Sequence, residues 1–127
     1  LDDAQLAAMI VRTRFSERGQ TRRAIAQELR RKGIDPEVAD EALAQVGDAD
    51  EAGAAIEVAR KKLRQTASLD RPVRIRRALG ALGRKGYSSG VAMQAIQSVL
   101  AEEPTRSEAG GSSDDDLGDT GAGDDWI

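Results

Sequence analysis

The chain has 127 residues, of which 39% are hydrophobic, 2% aromatic and 32% charged, enough for one small body with a modest core. It contains no cysteine and no histidine, which excludes a disulfide framework, a zinc site of thiolates or imidazoles, and nucleophilic catalysis of the Ser-His or Cys-His kind. Charge is uneven: residues 1–104 carry 18 basic and 15 acidic side chains, whereas residues 105–127 carry one basic and seven acidic. A mildly basic body therefore continues into an acidic tail. No apolar run approaches the roughly 18 residues of a membrane span, and no apolar stretch follows a charged start. The expectation is a soluble, cytoplasmic chain without a membrane partner. It begins at Leu1 rather than Met and is expected to be a fragment or a processed form.

Apolar residues recur at spacings of three and four throughout the body, so an all-α protein is predicted. The first helix covers about residues 3 to 18, with Leu6, Met9 and Ile10 on its apolar side, Asp2 or Asp3 as cap and Gly19 as stop. Thr21 is the N-cap of a second helix whose Ile25, Ala26 and Leu29 share a face. It ends at Arg30-Arg31-Lys32-Gly33, cations in the last turn before a glycine that tolerates the left-handed cap. Asp35-Pro36-Glu37 restarts the chain as helix, with Val38, Ala39, Ala42, Leu43 and Val46 as its buried stripe. A second trio follows. Ala52, Ala55, Ile56, Ala59 and Leu63 mark the fourth helix, Ile75, Ala78, Leu79 and Leu82 the fifth, and Val91, Ala92, Ala95, Ile96, Val99 and Leu100 the sixth.

Sliding the sequence on itself by 53 positions shows an internal repeat. Between Leu29 and Val46 eight of 18 positions are identical: Leu29, Arg31, Lys32, Gly33, Val38, Ala39, Ala42 and Val46 fall on their like, and Leu43 falls opposite Ile96. This predicts two tandem three-helix units, residues 1–47 and 48–103, each too small to bury its apolar face alone. From residue 104 the composition turns to Gly, Ser, Asp and Thr, with too few apolar residues to offset the entropy of ordering, and a disordered acidic tail is predicted for residues 104–127.

The sequence resembles RecX, the small bacterial regulator of the RecA recombinase. The resemblance covers about residues 1 to 103. It rests on the opening Leu1-Asp2-Asp3, on the run from Arg22 to Ile34 (RRAIAQELRRKGI) with Ala42-Leu43 downstream, on Ala59-Arg60-Lys61-Lys62-Leu63, and on Arg84-Lys85-Gly86-Tyr87-Ser88. It implies three tandem three-helix repeats in an elongated, curved body. It also implies a protein that lodges in the groove of RecA filaments on single-stranded DNA and restrains ATP hydrolysis, strand exchange and repressor cleavage. By that comparison the sequence starts where the second repeat of the family starts, and the first repeat is absent from it.

The basic residues gather on particular helices: Arg22, Arg23, Arg30, Arg31 and Lys32 on the second; Arg60, Lys61, Lys62 and Arg64 on the fourth; Arg71, Arg74, Arg76, Arg77, Arg84 and Lys85 on the fifth. Such clusters suit phosphate or an acidic protein face. Arg23, Gln27, Arg30 and Arg31 share a face turned from Ile25 and Leu29, and Arg74, Arg77 and Arg84 are expected to be turned from Leu79 and Leu82 in the same way. With the resemblance, the residues assigned to a RecA filament or its DNA are Arg22, Arg23, Arg30, Arg31, Lys32, Arg60, Lys61, Lys62, Arg74, Arg77, Arg84 and Lys85. No cofactor, metal or catalytic residue is assigned, and the chain is expected to act as a monomer. The competing reading is a general nucleic-acid module of helix-turn-helix type; a helical scaffold for another protein is a third.

Other features have simpler explanations. Gly33 and Gly86 read as helix caps rather than phosphate loops. The acids from Asp35 to Glu41 and from Asp48 to Glu51 lack calcium-loop spacing. Phe15 and Tyr87 are expected in a core or a repeat junction, and Tyr87, which falls opposite Ile34, is expected as an apolar plug with its hydroxyl near the surface. The tail ends Asp124-Asp125-Trp126-Ile127, which fits either a solubilising segment, a docking peptide, or a strand of acid that lies over the basic helices and competes with their partner.

Overall fold

The computed structural model describes residues 2–104. They form six helices and, among the described residues, no strand: α1 (Asp3–Arg18), α2 (Arg22–Arg31), α3 (Pro36–Leu43), α4 (Asp48–Gln65), α5 (Arg71–Arg84) and α6 (Ser89–Glu102). The caps follow from side chains that offer an oxygen to the free amides of a first turn. The Asp2 carboxylate accepts from the Ala4 amide at 2.9 Å, Thr21 Oγ1 from Ala24 at 3.1 Å, Asp35 from Glu37 at 2.9 Å and Ser88 Oγ from Val91 at 3.2 Å. At the other ends Gly19, Gly33 and Gly86 take φ values of 66°, 81° and 105°, the left-handed conformation that glycine reaches without a Cβ penalty.

The helices are two trios. In the first, α1, α2 and α3 bury Ala7, Ile10, Val11, Ile25, Leu29, Ile34, Ala39, Ala42, Leu43 and Val46. In the second, α4, α5 and α6 bury Ala55, Ala59, Leu63, Ala78, Leu82, Tyr87, Ala92, Ala95, Ile96, Val99 and Leu100. The two cores share no residue, so each trio closes around its own apolar interior rather than leaving a face for its neighbour, as the size of the repeat had suggested. A few positions differ from the expected stripes. Met9 and Val91 are 47% and 42% exposed, and Ala52 is exposed. On α1 the stripe runs through Ala7, Ile10 and Val11, and Met9 sits about 100° from Ile10 on the side away from Ala7 and Val11. The α3 helix also stops at Leu43, and Val46 reaches the core from the following turn.

What joins the trios is polar. The Thr21 amide donates to the Lys85 carbonyl at 3.0 Å, and the Tyr87 hydroxyl donates to the Gly19 carbonyl at 2.7 Å. Arg22 reaches across: its amide and Nε donate to Glu51 Oε2 at 2.6 and 3.1 Å and its Nη2 also pairs with Asp48, while its Nη1 is steadied within its own trio by donating to the Val46 carbonyl at 3.2 Å. The acidic tail expected beyond Pro104 lies outside the described residues.

Candidate partner-binding surface

Ion pairs divide the predicted basic residues into two groups. The first is committed to holding the fold. Arg22 is bound as above, and the Glu51 and Asp48 carboxylates push its guanidinium further above its ordinary value. Arg60 pairs with Glu102 and, at 3.7 Å, with Glu57. Arg74 donates to the Leu63 carbonyl at 2.8 Å and to both oxygens of Glu103 at 3.2 and 2.9 Å, and its side chain is only 12% exposed. It therefore clasps the end of α6 to α4 and does not share an open face with Arg84. Arg77 is also half-buried. The α5 surface pictured from sequence is split because its first turns pack under Glu103 while its last turn faces solvent. Lys32 pairs loosely with Glu28 at 3.8 Å, whose stronger partner is Arg14 at 2.9 and 2.8 Å. The Arg14 hydrogen bonds hold the Glu28 carboxyl below the usual carboxylate range.

The second group has no ion pair among the described residues. Arg23, Arg30 and Arg31 stand exposed along α2, as the helical spacing required. Lys61, Lys62, Arg84 and Lys85 converge on a cleft of about 830 Å³ between the trios, walled by the end of α1, one face of α4 and the end of α5. On α4 the cleft face is Asp50, Gly53, Ala54, Glu57, Val58, Lys61, Lys62 and Gln65, a helical succession that runs beside the core stripe of Ala55, Ala59 and Leu63. The cleft floor is apolar at Phe15, Val58 and Ala81.

The charges in the cleft act on one another. Lys85 is pushed down from its ordinary ammonium value, first by burial and then by the positive charges of Lys61, Arg18 and Arg84. Glu17, Asp50 and Glu57 also line the cleft but are outnumbered by Arg18, Lys61, Lys62, Arg84 and Lys85; the excess of crowded cations costs free energy in the free protein, and an anion in the cleft would recover it. Arg18 belongs to this group and sequence reasoning did not assign it. It is a single basic residue at the end of α1, and only the approach of the trios brings it to Lys85. The available signal was its place in a last turn before Gly19, the pattern already recognised at Arg30-Arg31-Lys32-Gly33.

Comparison with known proteins gives this architecture its family. Residues 2–43 match the second three-helix domain of RecX and residues 49–96 the third. The chain belongs to the RecX family. It is 39% identical over 121 residues to a protein of Streptomyces coelicolor named regulatory protein RecX, covering 95% of this chain and 61% of that one. A protein of the same name from Amycolatopsis mediterranei is 40% identical over 102 residues, 80% of this chain and 58% of that one. The chain thus spans about three fifths of the length of these RecX relatives. The solved structure of RecX from Lactobacillus salivarius shares the fold, with a TM-score of 0.66 and 23% identity over 80% of this chain and 66% of that one. The matched domains are a RecX-type regulator's second and third. No described helix is long and apolar enough to cross a membrane.

Proposed function

We propose that the chain is a non-catalytic regulator that binds RecA filaments on single-stranded DNA and inhibits strand exchange, ATP hydrolysis and the coprotease activity, so modulating DNA repair and the SOS response in the cytoplasm. It acts as a monomer and needs no cofactor. Membership of the RecX family supplies the class of partner. The observation that carries the reading is the set of cations that form no ion pair among the described residues: Arg23, Arg30 and Arg31 on α2 and Lys61, Lys62, Arg84 and Lys85 in the cleft. Two positively charged surfaces on one pair of joined trios suit a filament, whose neighbouring subunits and DNA backbone repeat their acidic groups. A body that bridges neighbouring subunits resists the rearrangements that ATP turnover and DNA pairing demand.

Co-sedimentation with ATP-bound RecA filaments on single-stranded DNA tests this, with bare DNA and DNA-free RecA as controls. Filament-dependent pelleting is expected. The combination Arg30→Glu, Arg31→Glu, Lys61→Glu and Arg84→Glu is expected to weaken it at least tenfold while circular dichroism stays unchanged, and raised salt is expected to weaken the unaltered chain. Equal pelleting with bare DNA would instead favour a general nucleic-acid module, and undiminished binding of the altered chain would refute the assignment of these residues.

A further inference from the structure

The cleft between the trios asks for an anion, and the same chain carries one. Residues 105–127 hold seven acids against one base and end in Asp124-Asp125-Trp126-Ile127. That ending matches the cleft in kind: acids beside an aromatic and an aliphatic residue, for a cleft lined by cations and by the apolar Phe15, Val58 and Ala81. We propose that the cleft is the docking site of the chain's own C-terminus, with Asp124 and Asp125 against Lys61, Arg84 and Lys85 and with Trp126 and Ile127 on the apolar floor.

Reach permits it. The described chain ends beside Glu103, which is held by Arg74, and the ten residues from Arg74 to Arg84 at the cleft advance about 15 Å along α5. Twenty residues separate Pro104 from Asp124, and a flexible linker of twenty residues spans about 25 Å root-mean-square. A tethered segment of that span meets its site at an effective concentration of order millimolar, so a weak contact is well populated. The charge balance of the cleft fits as well: Arg18, Lys61, Lys62, Arg84 and Lys85 outnumber Glu17, Asp50 and Glu57 along its wall, and a built-in acidic segment supplies the missing carboxylates. The docked segment would cover Lys61, Arg84 and Lys85 and so hold the regulator in a self-shielded form. Only that consequence rests on the filament reading; the docking itself does not.

Trp126 is the only tryptophan in the chain, so its fluorescence reads the docking without any RecA. At low salt the intact protein is expected to emit to the blue of a free peptide of residues 113–127. The shift should be lost in Lys61→Glu/Lys85→Glu and at about 1 M salt, where the Debye length falls to about 3 Å. Circular dichroism confirms that the altered chain is folded, and a peptide of residues 113–127 carrying Trp126→Phe, added to the unaltered protein, gives a second reading by displacing the tail and shifting the emission of Trp126 to the red. An emission identical to that of the free peptide, or a blue shift that survives the charge reversals, would overturn the proposal. So would a shift that grows with protein concentration, because the tail would then be seated on a second copy. If docking is confirmed, Asp124→Asn/Asp125→Asn is expected to strengthen filament pelleting several-fold at low salt. Pelleting unchanged by that substitution would refute the shielding, while absence of pelleting in every form would count against the filament reading alone.

Discussion

The two trios descend from one pattern and use it differently. At an offset of 53 residues Gly33 and Gly86 occupy the same place after the same Arg-Lys pair, and both adopt the left-handed conformation. Around Gly33 there is open space, whereas a Cβ built on Gly86 would lie 2.3 Å from Thr21 Oγ1 and 3.0 Å from the Ala24 Cβ. The next residue diverges likewise: Ile34 fills its own core, and Tyr87 fills its core but also donates to Gly19 in the other trio. In the first trio this turn only ends a helix. In the second it is the joint of the molecule.

The sharpest way to break that comparison is the same substitution in both places. Gly33→Ala introduces strain at positive φ alone and is expected to cost about 1 kcal/mol. Gly86→Ala adds a collision with Thr21, the N-cap of α2, and is expected to cost about 3 kcal/mol or more. Chemical denaturation of both variants gives the difference, and equal losses would show that the turn at Gly86 has no part in joining the trios.

Much of this was legible in sequence, for reasons that can be named. Helix starts at Asp2, Thr21 and Asp35 and stops at Gly19, Gly33 and Gly86 are local events, decided by side-chain oxygens and by φ, so they read directly from the chain, whereas the cap at Ser88 went unread. The repeat read for a similar reason, since the same small and branched residues must fill the same interior. The exposed face of Arg23, Arg30 and Arg31 followed from helical period alone. What did not read was which cations are already occupied. Arg22, Arg60 and Arg74 look like Arg23, Lys61 and Arg84 in sequence, yet the carboxylates that accept their hydrogen bonds lie 26 to 42 residues away. The cleft is of the same kind, because Arg18 and Lys85 become neighbours only when the trios meet. The hydroxyl of Tyr87 was expected near the surface, and its target across the joint belongs to no local pattern.

The second test concerns cooperativity. Glu51 accepts the Arg22 amide as well as its guanidinium, and its side chain is 20% exposed, so Glu51→Ala removes charge-assisted bonds at the joint and is expected to cost about 2 kcal/mol. Glu28→Ala removes a bidentate pair of similar geometry inside the first trio. Because the two cores share no residue, loss of the Glu51 contacts is expected to uncouple them, giving separate unfolding transitions in calorimetry, while Glu28→Ala lowers a single transition. A single sharp transition in Glu51→Ala would show that some other contact couples the trios.

The smallest expected effect is also the most specific to the joint. Tyr87 is the only tyrosine in the chain; burial, and then the Glu51 charge, pushes its phenol up to about 12. The unfolded phenol titrates near 10. Its folded value is raised, so the stability it contributes is complete below about pH 10 and is lost as the pH climbs towards 12. Tyr87→Phe keeps the apolar plug and deletes only the hydrogen bond to Gly19, at an expected cost of about 1 kcal/mol at neutral pH. The informative quantity is the difference between the two proteins, in which every other group cancels: the gap in stability should narrow from pH 10 to 12 as the unaltered chain is penalised for ionising its phenol against Glu51. The absorbance of the single phenolate gives the same midpoint independently. A phenol that titrates near 10 would mean that Tyr87 reaches solvent and that the joint at Gly19 is open.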